Sequence, residues 1–203
     1  MHENCYVVSD DSKEAMIVDC GAYTDADKQA VLDYIRSNDL IPRRLVQTHG
    51  HLDHCIGNSI IYKEFGLKPE VHANEVELMS KLAEQSEMMF YEPLKEEIPP
   101  VGRYFTDKDT ITFGNHVFTI IDTPGHTPGG VFLYCKEESL AFSGDTLFRG
   151  SIGRTDLMGG SMFQIIQSLR TVCQLPDDTK IYPGHGETTN IGYECATNMY
   201  IDR

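Results

Sequence analysis

Residues 48–54, THGHLDH, constrain this chain more than any other stretch. Three of its eight histidines and a carboxylate, His49, His51, Asp53 and His54, fall within six residues. In an extended backbone alternate side chains share a face, so His49, His51 and Asp53 are expected to converge while His54 faces elsewhere. Imidazole nitrogens combined with a carboxylate oxygen suit zinc and related first-row ions. RRLVQTHG reads as a short strand entering a loop, and CIGNSIIYKEFG as a helix closed by Gly66. Such a strand-to-helix edge is where ligands gather in layered α/β folds.

Three further segments share that placement at a strand end: TPGHTPGG with His126, SGDTLF with Asp145, and YPGHGE with His185. Each candidate donor follows an apolar strand and sits beside glycine, which allows close backbone approach. A lone histidine or aspartate at a turn is usually structural. Four such segments in one chain supply five histidines and two aspartates, enough for two metal ions with water completing their shells.

The remaining pattern mixes strands and helices in both halves of the chain. NCYVV and EAMIVDC read as strands around a polar turn, and TDADKQAVLDYIRSN as a helix capped by Thr24 with Val31, Leu32 and Ile35 on one face. EVHA is a further strand, and NEVELMSKLAEQSEMMF reads as one helix whose Met and Leu residues belong to the core. YEPLKEEIPPVGR carries too many breakers for a regular element. DTITFGNHVFTII reads as a hairpin turned at Gly114-Asn115, and GVFLYCKEESLAFSG as a strand pair turned at 136–139. GSMFQIIQSLRTV, TKIYPG and the tail from Ile191 read as helix, strand and short helix. Helices on both faces of sheet structure, in one domain over residues 1–203, is the economical arrangement.

Composition removes several function classes. The net charge of −14 opposes nucleic acid and anionic membrane as partners, and no run of apolar residues is long enough for a membrane span. Six cysteines stand apart at positions 5, 20, 55, 135, 173 and 195, with no CxxC pair, so zinc-knuckle and thioredoxin-like chemistry is not expected. Reduced thiols in a cytoplasmic protein fit this usage, and Cys55, beside His54, is expected to be packing rather than a nucleophile. The start MHENCYVVSD lacks the basic flank and apolar stretch of a signal peptide; it enters an apparent strand so early that preceding residues are expected to be missing.

Taken in order and spacing, THGHLDH, TPGHTPG, SGDTLFRGSIGRTDL and PGHG resemble the metallo-β-lactamase superfamily over nearly the whole chain, most of all its small glyoxalase II-like hydrolases. The resemblance implies an α/β fold, a four-layered αββα sandwich with the metal site along one edge of its two sheets. It also implies that His49, His51 and His126 hold a first metal and Asp53, His54 and His185 a second, with Asp145 bridging both. The implied cofactor is a pair of divalent ions, zinc first and iron or manganese as alternatives.

A hydroxide between two cations is a strong nucleophile at neutral pH, and the cations stabilise the oxyanion formed when it attacks a carbonyl. Thiolate leaves with little protonation, so a small acyl thioester is a matched substrate, with Asp53 and Asp145 orienting the hydroxide or handling its proton. Arg154, in GSIGRTDLMGG, is the candidate for gripping a substrate carboxylate, or else for ordering its own loop through Asp156. Arg149 is a weaker candidate, and Tyr104 and Phe105 are candidates for shaping the mouth of the site, with ordinary packing the expectation for both.

The resemblance to full glyoxalase II is incomplete. Its C-terminal glutathione-binding helical domain is expected to be absent, because the chain ends eighteen residues beyond His185, and GRTDL stands where a GKFYEG-like loop is usual. GRTD also occurs in related persulfide dioxygenases, which hold one iron on the counterparts of His49, His126, Asp145 and further site histidines. That oxidoreductase reading is the alternative to hydrolysis, and a non-catalytic metal-binding module is a third. β-Lactam hydrolysis would favour an exported protein, and nuclease members of the superfamily need a cationic path that this acidic chain lacks.

Overall fold

A computed structural model describes residues 2–201. The chain divides into two compact units: residues 3–105 with 113–115, and residues 106–112 with those from 116 on and residue 2.

The first unit contains β1 (Tyr6–Ser9), β2 (Glu14–Val18), α1 (Asp25–Ser37), β3 (Ile41–Val46), α2 (Leu52–Cys55), α3 (Asn58–Phe65), β4 (Glu70–His72), α4 (Val76–Ser80), α5 (Leu82–Phe90) and β5 (Arg103–Phe105). Its five strands lie in the order β1-β2-β3-β4-β5, with β1 antiparallel to β2 and the rest parallel. After Glu14, every residue of β2 is fully buried, as an apolar run covered on both faces should be. Thr24 caps α1 as expected: its Oγ1 accepts from Asp27 N–H at 3.1 Å, while Asp27 Oδ2 accepts from Thr24 N–H at 2.9 Å. Ile35 of α1 packs with Ile17, Leu45 and Ile61, and Gly66 stops α3 in the left-handed conformation, at φ 70°.

The single helix expected over 74–90 is instead broken at Lys81. The carbonyl of Leu78 accepts from both Lys81 N–H and Gln85 Nε2, each at 3.0 Å, so the regular bond from Leu82 is displaced and the helix restarts as α5. Leu78 and Leu82 are buried as expected, but Met88 and Met89 are exposed, the buried positions of α5 being Leu82, Gln85 and Ser86. Cys55 is buried beside Leu52, Ile56 and Leu82, and burial pushes its thiol well up, which fits packing rather than nucleophilic chemistry. β5, a strand not anticipated from the sequence, buries Phe105 and leaves Tyr104 exposed.

The second unit contains β6 (Thr110–Phe113), whose last residue is counted with the first unit, β7 (His116–Asp122), β8 (Val131–Cys135), β9 (Leu140–Gly144), β10 (Leu147–Phe148), β11 (Ser151–Ile152), α6 (Met162–Val172), β12 (Lys180–Pro183), β13 (Thr189–Asn190) and α7 (Ile191–Thr197). Six strands lie in the order β13-β12-β9-β8-β7-β6. β7, β8 and β9 are antiparallel neighbours, and β12 runs parallel to β9. All of β8 is buried, and Leu169 and Val172 of α6 pack with Phe132, Leu147, Ile181 and Ile191. β10 and β11 form a small hairpin beyond the sequence reading. No helix among the described residues is long and apolar enough to cross a membrane.

Candidate metal centre

In the first unit, β3 ends at Val46, and the buried residues Gln47, Thr48 and His49 carry the chain toward α2. His51 is extended and caps α2, so Asp53 and His54 are helical rather than extended. This overturns one expectation. His54 does not face elsewhere; its ring lies 4.1 Å from that of His49, and the His49 ring lies 4.9 Å from that of His51. The helical turn from Leu52 swings His54 back to the cluster, while His54 Nε2 stays 3.9 Å from Asp53 Oδ2.

Asp19, which sequence reasoning missed, organises these rings. It follows β2 at φ 49°, an uncommon left-handed position for a non-glycine residue. Its Oδ1 accepts from Thr48 N–H at 2.7 Å, and its Oδ2 accepts from Thr48 Oγ1 at 2.7 Å and from His54 Nδ1 at 2.9 Å. Thr48 spends its hydroxyl proton on Asp19, so its Oγ1 accepts from His49 Nδ1 at 3.1 Å. The available signal was the one that singled out Asp145: an aspartate ending an apolar strand close to glycine. Nearby, Glu3 Oε2 accepts from Gly21 N–H at 3.1 Å, and burial, aided by the charges of Asp19 and Asp53 and opposed by His54, pushes its carboxyl up to about 9.

In the second unit three loops converge. TPGHTPGG is tied by Thr123 N–H to Gly130 O at 2.8 Å, Gly125 N–H to Thr127 O at 3.0 Å, and Ser168 Oγ to Pro124 O at 2.7 Å. Gly125 has φ 141°, and a Cβ there would lie 2.3 Å from Ile165 N, so only glycine fits. His126 Nε2 and His185 Nε2 lie 3.5 and 3.6 Å from the same Asp145 Oδ2. His126 Nδ1 donates to the carbonyl of Arg154 at 2.7 Å, and His185 Nδ1 to that of His2 at 3.1 Å. The Phe148 ring meets His185 edge-on at 6.1 Å.

Four imidazoles, two in each unit, therefore keep the Nδ1 proton on an oxygen acceptor and carry their lone pair on Nε2. That is the usual tautomer and support of a metal-ligating histidine, so the donor set fits divalent metal ions. Within the first unit Asp19, His49 and His54 bring donor atoms within 4.8 Å of one another. The Asp19 oxygens are already engaged, which makes it a support for ligands rather than a ligand. Arg154 directs its guanidinium to Asp156 by two bonds, at 2.7 and 2.8 Å. Arg149 pairs with Glu187 at 3.0 Å and lies 5.3 Å above the Tyr193 ring.

Residues 1–185 match the family model of the metallo-β-lactamase superfamily. The chain is 34% identical to a protein of Haemophilus influenzae named hydroxyacylglutathione hydrolase GloC, over 98% of this chain and 93% of that one. Among solved structures it is similar to the B3 metallo-β-lactamase BLEG-1, with TM-score 0.90, 32% identity, and coverage of 99% of this chain and 95% of that one. It is also similar to TTHA1623, solved in a di-iron-bound form, with TM-score 0.85, 31% identity, and coverage of 98% and 95%. By family model, relatives and fold alike, the chain belongs to the metallo-β-lactamase superfamily.

Proposed function

We propose that this chain is a metal-dependent thioester hydrolase of glyoxalase II type, working as one domain with two divalent cations. The observation that carries the reading is the set of four histidines, His49, His54, His126 and His185, each with Nδ1 on an oxygen acceptor. His49, His51 and His126 would hold the first ion and Asp53, His54 and His185 the second, with Asp145 as a ligand shared by both. Nitrogen and carboxylate donors favour zinc, with iron or manganese also compatible.

Bound there, the two ions supply Lewis-acid activation of water and of the substrate carbonyl. Asp53 and Asp145 would orient that water or handle its proton. Asp19, Thr48 and the carbonyls of Arg154 and His2 hold the imidazole tautomers. Arg154 is proposed to exchange the exposed Asp156 for a substrate carboxylate, a reading supported by its planar fork, which binds either bidentately. A thioester is the chosen substrate class because thiolate leaves without a strong acid, and because the 34% identical relative is named for hydrolysing a glutathione thioester.

The test is metal analysis of purified protein, joined to a panel of acyl thioesters on several thiol carriers, a β-lactam, and oxygen uptake with glutathione persulfide. Two metals per chain with thioester cleavage is the expected result. One iron per chain with oxygen consumption would establish the dioxygenase reading in its place. Turnover of the β-lactam alone would extend to this chain what the BLEG-1 likeness suggests.

A further inference from the structure

Between His49 and His51 lies Gly50, and its backbone is held by two buried side chains that reach it from distant parts of the first unit. Glu75 ends a short 3-10 turn (Ala73–Glu75) and is fully buried; its Oε2 accepts from Gly50 N–H at 2.7 Å. Gln85, buried on α5, accepts from Leu52 N–H on Oε1 at 2.9 Å and donates from Nε2 to the carbonyl of Gly50 at 3.2 Å. The same Nε2 bonds the carbonyl of Leu78 at the break between α4 and α5, so the break and the grip share one side chain.

We infer that Glu75 and Gln85 are positioning residues that set the metal affinity of His49 and His51, an inference that rests on the metal-centre reading above. Gly50 lies in the loop between β3 and α2, and Leu52 is the first residue of α2, so neither a strand ladder nor the helix serves the Gly50 N–H and carbonyl or the Leu52 N–H. Glu75 and Gln85 supply those partners, and through them the two histidine Cα positions are fixed on either side of Gly50. Thr48, its own backbone held by Asp19, orients the His49 ring, and the grip of Glu75 and Gln85 holds the backbone between the two rings. The close approach also explains the glycine: a Cβ at position 50 would lie 2.8 Å from Glu75 Oε2 and 3.1 Å from Leu78 Cβ. Neither Glu75 nor Gln85 belongs to the proposed ligand set, so their effect reaches the metal only through the loop. Partners that orient ligands in this way typically change metal affinity by about 10- to 100-fold when removed.

The test titrates metal-free full-length protein with cobalt(II), followed by visible absorption and by competition with a chromophoric chelator. Wild type is expected to load two equivalents. Glu75→Ala is expected to weaken one equivalent by about 10- to 100-fold with far-UV circular dichroism unchanged. Glu75→Gln, whose amide oxygen can still accept from Gly50, is expected to restore most of that affinity. Should Glu75→Ala fail to fold, Gln85→Ala, which leaves Glu75 in place, carries the same expectation. Wild-type loading with unchanged affinity in folded Glu75→Ala and Gln85→Ala would overturn the inference alone. A wild-type protein that takes up no metal would overturn the metal-centre reading and the inference with it.

Discussion

Asp19 Oδ2 stands 2.9 Å from His54 Nδ1 while its other oxygen accepts from the backbone of Thr48, so one buried carboxylate governs two histidines of THGHLDH. Asp19→Ala strands buried donors on Thr48 and His54. Leaving these three donors, Thr48 N–H, Thr48 Oγ1–H and His54 Nδ1–H, unsatisfied costs about 1–3 kcal/mol each, so a drop of about 3 kcal/mol or more in urea-unfolding stability is expected. Metal content should fall with it. A variant with wild-type stability and two metals per chain would show that the carboxylate is dispensable.

Gly153 sits against the backbone of Asp145. A Cβ there would lie 1.7 Å from the carbonyl oxygen of Asp145 and 3.1 Å from His126 Nδ1. The nearest neighbour is main chain, so it has little room to yield. Gly153→Ala is therefore expected to cost about 3 kcal/mol or more and to shift the Asp145 loop. Denaturant unfolding together with metal analysis checks both parts; an Ala variant that unfolds like wild type would show that the loop accommodates the methyl group.

Much of this arrangement was legible before any coordinates, because strand ends flanked by glycine mark where donors can emerge. Thr24 as a cap, Gly66 as a stop and the Gly114 turn follow from local chemistry alone. What local patterns did not reveal depends on side chains from elsewhere. His54 was expected to point away, because the extended periodicity was carried one turn too far; α2 begins at Leu52. The helix over 74–90 breaks because Gln85 takes the Leu78 carbonyl, which periodicity does not register. Asp19 escaped notice since a single aspartate after a strand is common, and its role appears only when Thr48 and His54 meet it.

The Arg154–Asp156 pair offers a pH test. The side-chain bonds from Arg154 hold the Asp156 carboxyl down at about 2, below its ordinary value of 3.8. A depressed carboxyl pKa means that the pair is fully formed above the ordinary value and is lost as pH falls through about 2. Both side chains are well exposed, so little stability rides on it. A carboxyl NMR titration should show Asp156 near 2 in wild type and back toward 3.8 in Arg154→Ala. That variant should keep its metal, since His126 bonds to the Arg154 carbonyl rather than to its side chain. A wild-type midpoint near 3.8 would mean the pair does not persist in solution.

Metal removal separates a catalytic centre from a structural one. Each unit has an apolar core of its own, built around Ile17, Leu45 and Ile61 in one and Phe132, Leu147 and Ile181 in the other. Folding should therefore survive chelation, with thermal stability reduced only by the linkage of binding, about 2.7 kcal/mol for each ion at free metal a hundredfold above its Kd. His126→Ala is expected to behave in the same way: its first-site metal and its activity are lost while far-UV circular dichroism is kept. A closed structural site would behave differently, since its binding free energy is folding free energy, and stripping the metal would unfold the chain. Circular dichroism before and after chelation, with zinc added back to recover activity, decides between the two.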